Sequence, residues 1–447
     1  MYSKKKIGFL EAYSIGVGGM VGGGIFAVLG LTITLAGGGA PVSFMLAGLI
    51  ALLTTYSYIK LSLRYPSEGG TIEFIVQGFG NSIFAGWVNT LLMVSYIIML
   101  ALYAYAFGSY GCVLFMGVET LWLEQLLIVL VLIVFVIINL MGAMLTGKAE
   151  DWMVFIKLSI LILFSVACFF TIDPQKISFD EWKSPLSVFT GGLIIFLAYE
   201  GFELIANTAA DIKEPEKNLP KAYIWSVVSV IVLYVVVAIV AVGNLTPQQV
   251  VKAKDYALAV AAEPFFGKTG FIIIAIAAML STASAINATL YGGGRVSYLI
   301  AKYGELPSGF KRKVKNGYEG IIIIGLLAII FATMFDLENI SVAGSFGFLT
   351  IFALVNLANF LLYEETKSNR WISFIAFLAC LGSVVVLVGY NVTHNPKALI
   401  STVVVVVSTF MFSYLYRIYR DHEPLNEYLD KRLQKRESQD EGKEDDG

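Results

Sequence analysis

The chain has 447 residues, 57% of them apolar and 14% charged, with 31 Lys+Arg against 33 Asp+Glu and a mean hydropathy of +0.76. Water-soluble domains carry about 25% charge, so an ordinary soluble enzyme is excluded, and a formal net charge of -2 speaks against a nucleic-acid partner. Charge is thinner still over most of the chain, because 15 of the charged residues fall in 421–447.

A transmembrane helix needs about 20 predominantly apolar residues. A window of about 19 residues predicts twelve spans, at about 11–36, 41–64, 83–112, 123–146, 150–171, 186–211, 221–244, 268–300, 319–335, 339–363, 370–390 and 397–419. The expected architecture is an all-α polytopic membrane protein, with one transmembrane domain over 1–420 and a charged tail over 421–447 that reads as a solvated helix followed by disorder. Residues 1–6 carry three lysines and lead into glycine-rich sequence with Glu11, without a short apolar core and cleavage site, so this end reads as cytoplasmic rather than as a signal peptide. With the N-terminus inside, inner segments collect about 24 Lys+Arg and outer ones about 6. Both termini are therefore expected in the cytoplasm of a cell-membrane protein. The largest inner cluster is Arg295, Lys302, Lys311, Arg312, Lys313 and Lys315, between spans eight and nine.

Span one contains "SIGVGGMVGGGIF", with glycines at 16, 18, 19 and 22–24. Small residues let membrane helices pack closely, but each glycine costs about 1 kcal/mol of helix propensity. Three in succession predict a break at Gly22 to Gly24. Span five carries Lys157 within "DWMVFIKLSILILF", about 10 Å in from Glu150 at 1.5 Å per residue. Two readings stand: a buried lysine whose charged form is disfavoured, or one that snorkels to the interface. Span six reads "FLAYEGFELIANTAAD", with Glu200, Gly201 and Glu203 mid-run. An acid at that depth costs at least about 2.5 kcal/mol. The alternative, a shorter segment with both acids at an interface, leaves 189–199 too short to span. Residues 245–268 read as an outer surface loop with a short amphipathic helix around 248–262; the stretch "AEPFFGKT" there is no phosphate-binding loop, because Ala262 stands where the first glycine is required.

Two interrupted spans separated by five others are the pattern of an inverted repeat, spans one to five (about 11–171) against six to ten (about 186–363), with a central site between the breaks. At a break, free N–H groups and the positive dipole end favour an anion, while carbonyls at the opposing end favour a cation. A zwitterion fits both. Spans eleven and twelve (370–419) lie outside the repeat and are left for packing or for a homodimer.

Cys112, Cys168 and Cys380 stand alone in apolar segments, and His394 and His422 are the two histidines. Neither a metal site, a disulfide framework nor a His-based triad is implied, and no cofactor or catalytic residue is expected. A membrane enzyme would need a nucleophile with its base, or a metal cluster; a channel would need a filter or selectivity ring. The spans display neither.

The stretches "GGMVGGGIF", "YPSEGGTIEFI", "AYEGFE", "DIKEPEKNLPKA" and "NATLYGGGRVSYLIAKYGELP" together resemble the amino acid–polyamine–organocation superfamily of secondary transporters over nearly the whole chain to Arg420, closest to prokaryotic broad-specificity, proton-coupled amino-acid transporters. The resemblance implies the LeuT-type fold and alternating-access transport of amino acids. It places the substrate carboxylate on the N–H groups of Gly23 and Gly24, beside Gly22, and the ammonium on the carbonyls of Met20, Leu197 and Glu200. Tyr199 and Phe202, flanking Gly201, would form or gate the pocket. In the related proton-coupled transporters a lysine at the Lys157 position takes the place of a second sodium ion, which here implies bonds to the Gly18 carbonyl and to the Ser281 or Ser284 hydroxyl. Glu200 departs from the family, where the position is often apolar or small: it would favour a cationic substrate, exchange a proton, or point away and be hydrogen-bonded. Glu203 falls where the family is often acidic. The expected partners are an amino acid, a proton and the bilayer. A cationic amino-acid or polyamine carrier and an amino-acid exchanger are the nearest alternatives.

Overall fold

The computed structural model describes residues 7–141, 147–314 and 317–419. The expectations for residues 1–6, for Lys315 and for the tail with His422 lie outside the described residues, as does the Glu150 side chain. Among the described residues nine helices are long and apolar enough to cross a membrane, including Ala40–Arg64, Ile83–Met116, Leu121–Leu140, Pro215–Asn244 and Leu337–Leu361. Two further spans are broken pairs, Phe9–Met20 with Gly24–Ala36, bent by 44°, and Pro185–Ile194 with Phe196–Asp211, bent by 52°. That makes eleven. The ninth expected span is the helix Glu319–Met334, only 16 residues long, or about 24 Å at 1.5 Å per residue. The twelve-span expectation therefore holds only if this short helix is counted.

Lipid cannot satisfy backbone polar groups, so every crossing is helical, and what differs among spans is how much protein surrounds them. Span three, Ile83–Met116, and span ten, Leu337–Leu361, are 83% and 78% buried and form the centre; span four, Leu121–Leu140, is 17% buried and spans eleven and twelve 28%, so these face lipid. Small residues seat the central pair. A Cβ on Gly347 would lie 2.3 Å from the Ser95 hydroxyl oxygen, so a larger residue there would displace that hydroxyl. Spans one and six, each opening one repeat, run broken through this centre.

The segment expected as an outer surface loop is instead packed inward. Thr246 caps the helix Pro247–Lys252, a 3-10 turn follows at Lys254–Tyr256, and the next helix, Ala257–Ala261, is buried. The alanines of "ALAVAA" carry little bulk, and Gly30 of span one lies so close that a Cβ there would meet the Lys254 carbonyl oxygen at 2.0 Å. Lys254 bonds Glu338 of span ten at 3.0 Å and the Tyr105 hydroxyl donates to Asp255 at 3.1 Å. The segment is a plug over one end of the bundle.

At the opposite, basic end, Arg295 pairs with Glu68, and Ile7 forms a two-bond bridge with the chain after span six (Ile7 N–H to Asp211 O, 3.0 Å; Lys213 N–H to Ile7 O, 2.9 Å). Glu305, just past span eight, accepts from Asn89 at 3.0 Å. Burial pushes its carboxyl from the ordinary 4.5 up to about 7, with the Asn89 bond and the Arg417 charge opposing. The folded protein thus holds a proton that the unfolded chain releases. Stability is expected to be full below about pH 4.5 and to fall as pH rises towards about 7. Thermal unfolding across this window should show that limb in the wild type and a flattened one in Glu305→Gln.

Candidate functional site

The first half of span one ends at Met20, residues 21–23 form a turn, and the second half starts at Gly24. The second half-helix begins at Gly24, so its leading N–H groups face the break rather than a preceding helical turn. The glycines are there for close approach. A Cβ on Gly23 would lie 2.5 Å from the Tyr103 ring, one on Gly24 2.8 Å from Ala198 Cα, and one on Gly19 2.8 Å from Gly201 Cα.

Span six winds as Pro185–Ile194, tightens into a 3-10 turn at Phe196–Tyr199, opens at Glu200 and Gly201, and continues as ten residues of 3-10 helix, Phe202–Asp211. Runs of this tighter helix beyond 3–4 residues are uncommon. Glu200 is extended (ψ 147°) and Gly201 takes φ 118°, a left-handed value that suits glycine. The two breaks face each other, Gly19 against Gly201 and Gly24 against Ala198.

Three side chains on other spans hold these breaks, and the sequence reading missed them. The Tyr234 hydroxyl of span seven donates to the Met20 carbonyl at 2.7 Å and lies 3.3 Å from that of Ala198. Ser345 of span ten donates to the Ile194 carbonyl at 2.8 Å and accepts from the Leu197 N–H at 3.1 Å. The Tyr96 hydroxyl of span three donates to Glu203 at 3.1 Å. A lone Tyr in "VIVLYVVVAIV" and a Ser between glycines in "AGSFGF" were the available signals. The Leu197 carbonyl accepts from the Glu200 N–H at 3.0 Å.

Lys157 is 5% exposed, which removes the snorkelling alternative, and its ammonium donates to the Gly18 carbonyl at 3.2 Å. Of the two hydroxyls expected beside it, that of Ser281 is engaged with span one instead, donating to the carbonyls of Gly22 and, at 3.2 Å, Val21. Ser284 lines the same small closed space as Lys157, Gly18, Tyr103 and Glu200. That space measures about 10 Å³, roughly the room of one water. From the basic end a cleft of about 210 Å³, lined by Glu68, Asn207, Asn287, Tyr291 and Arg295, reaches Ser284.

Glu200 and Glu203 are both buried, at 3% and 1% exposure. The Glu203 carboxylate accepts from the Gly201 N–H at 2.7 Å as well as from Tyr96, and the Glu200 carboxyl lies beside it. Tyr199 and Phe202, expected to form or gate the pocket, are both buried against other spans. The Tyr199 hydroxyl donates to the Phe44 carbonyl at 2.8 Å, and the Phe202 ring packs between Tyr58 and Phe352 at 5.5 and 5.1 Å. The extended Glu200 and left-handed Gly201 separate the two rings, and both pack behind the break. Among the described residues no group of three or more His, Cys, Asp or Glu is placed to hold a metal.

The pattern of the amino acid permease family matches residues 7–412. An uncharacterized protein of Methanocaldococcus jannaschii is 37% identical over 415 residues, covering 92% of this chain and 95% of its own. The inner membrane transport protein YbaT of Escherichia coli is 31% identical over 388 residues, 86% of this chain and 90% of that one, and the branched-chain amino acid permease BcaP of Bacillus subtilis 22% identical over 81% and 82%. In three dimensions the chain is similar to a crystal structure of the Eremococcus coleocola manganese transporter, with a TM-score of 0.61 at 13% identity, covering 92% and 94% of the two chains, which bears on the fold alone. Broken spans one and six at the centre of a helical bundle, the family pattern over almost the full length and relatives named as transport proteins converge: the chain is a multi-pass membrane transporter of the amino acid permease family, within the amino acid–polyamine–organocation superfamily.

Proposed function

We propose that this protein carries amino acids across the cell membrane by alternating access, coupled to protons and independent of sodium. One observation carries the reading: a buried lysine, Lys157, bonded at 3.2 Å to the Gly18 carbonyl near the end of the first half of span one. As an ammonium it joins span five to the break through a charge-assisted bond, the stronger kind; as a neutral amine it holds less firmly. Protonation therefore biases two arrangements of span one against span five. The N–H groups of Gly23 and Gly24, where the second half of span one begins, receive the substrate carboxylate. The carbonyls of Met20, Leu197 and Glu200 receive the ammonium, since an oxygen that already accepts one bond keeps a second lone pair.

The excess of Lys and Arg places the basic end and both termini in the cytoplasm. The cleft beside Arg295 is then the inner path, and the 245–262 plug closes the outer one. A second reading, a carrier of cationic amino acids or polyamines, is favoured by the buried carboxyl of Glu200 beside the break. Exchange of one amino acid for another is a third mode.

The test is uptake of labelled neutral amino acids into proteoliposomes, with pH and sodium gradients imposed separately. Accumulation is expected under an inward proton gradient and unchanged by sodium. Sodium-driven accumulation without dependence on pH overturns the proposal. Competition by arginine and putrescine stronger than by leucine favours the second reading.

A further inference from the structure

Glu200 and Lys157 come from different repeats, from the break of span six and from span five, and both residues line one small space about the size of a water. The titratable groups around Glu200 among the described residues are Glu203 on its own span, Tyr96 and Tyr103 on span three, and Lys157 on span five. Spans one and eight bring only glycine, serine, alanine and threonine to that space. Two adjoining carboxyls buried in an apolar centre do not both carry charge, so one proton is held between them. Glu203 already accepts from the Gly201 N–H and the Tyr96 hydroxyl, so it is the better-stabilised anion, and the shared proton sits on Glu200. With Lys157 as ammonium and Glu203 as carboxylate, the buried trio is neutral.

We infer that Glu200 is a second proton carrier, holding a proton beside Glu203 and exchanging it with Lys157 across the small space that both residues line. In the exchange the O–H bond of Glu200 breaks as an N–H bond forms on the Lys157 lone pair, leaving a carboxylate and an ammonium; the reverse step restores the acid. Loss of one proton from the trio leaves one negative charge in an apolar centre, which a substrate ammonium at the adjoining break offsets. The inference rests on the reading of Lys157 as the protonation switch, and it assigns Glu200 to coupling rather than to selection of a cationic side chain.

The experiment compares wild type and Glu200→Gln in proteoliposomes, measuring both pH-driven accumulation and counterflow exchange, which moves no net proton. Glu200→Gln, which keeps the backbone carbonyl, is expected to lose accumulation, down to the level reached without a gradient, and by a larger factor than it loses counterflow exchange. Wild-type accumulation with a wild-type pH profile overturns the inference, as does a loss confined to basic substrates. Should Glu200→Gln fail to fold, Tyr96→Phe serves instead. Removing that donor weakens the Glu203 anion, so the pH of half-maximal accumulation is expected to move to the alkaline side, and an unmoved midpoint overturns the inference. If the wild type itself ignores the pH gradient, the proton-coupling reading fails. Infrared titration of the wild type and of a folded variant, Glu200→Gln or Tyr96→Phe, still decides the Glu200 proton: a protonated-carboxyl band that Glu200→Gln loses, or whose titration Tyr96→Phe displaces, supports it, and an unaltered band overturns it.

Discussion

Gly201→Ala is expected to abolish transport and to lower the thermal stability of the protein. The residue sits at φ 118°, and a Cβ built on it lies 2.4 Å from the Gly19 carbonyl carbon and 2.6 Å from the Met20 nitrogen. Both neighbours are backbone of the opposing break, so no rotamer change relieves the clash. The dihedral alone costs about 1–3 kcal/mol in a residue with a side chain, and separating the two breaks adds to it. Separation would also disturb the Tyr234 bonds to Met20 and Ala198, which depend on the two chains staying adjacent. Gly292→Ala in span eight is the matched comparison, because nothing lies within 4 Å of its Cβ position. There the change is expected to be neutral or to stabilise by up to about 1 kcal/mol through helix propensity. Thermal unfolding in detergent and uptake in proteoliposomes read both. Equal behaviour of the two variants would mean that the breaks are not in contact.

Lys157→Ala is expected to reduce pH-driven accumulation to the level found without a gradient. Removing the ammonium leaves the Gly18 carbonyl without that donor, a loss of about 1–3 kcal/mol for a buried partner, and removes the group whose protonation biases the two arrangements. Lys157→Arg separates the bond from the switch. A guanidinium restores a donor but stays charged at every working pH, so substrate binding should persist while turnover stops. Ser281→Ala removes a hydroxyl that holds the Val21 and Gly22 carbonyls and should slow uptake while keeping its pH dependence. Uptake by Lys157→Arg with a wild-type pH profile would remove this lysine from the mechanism.

Much of the architecture was legible because the bilayer leaves few choices. The expected span at 41–64 is the helix Ala40–Arg64, and 339–363 is Leu337–Leu361. Both broken helices were marked by residues that an unbroken helix disfavours, Gly22 to Gly24 and Glu200 with Gly201. The 245–268 segment was misread, since charged and polar residues at its start gave no sign that its alanines pack on Gly30.

The amino-acid sequence by itself determined where the chain crosses the membrane, which two crossings break and that a lysine and two acids lie at depth, because hydropathy, glycine runs and the cost of buried charge are local properties. The tertiary structure alone decided what those residues touch. Gly201 permits its left-handed dihedral without requiring it, so the inward turn of Tyr199 and Phe202 could not be read from their order in the chain. Tyr234 lies 214 residues from the Met20 carbonyl it holds, and Ser345 148 residues from Leu197. The space lined by both Lys157 and Glu200 likewise brings together two spans from different repeats. Such contacts come from packing of whole helices, and no local pattern encodes the partner across that distance.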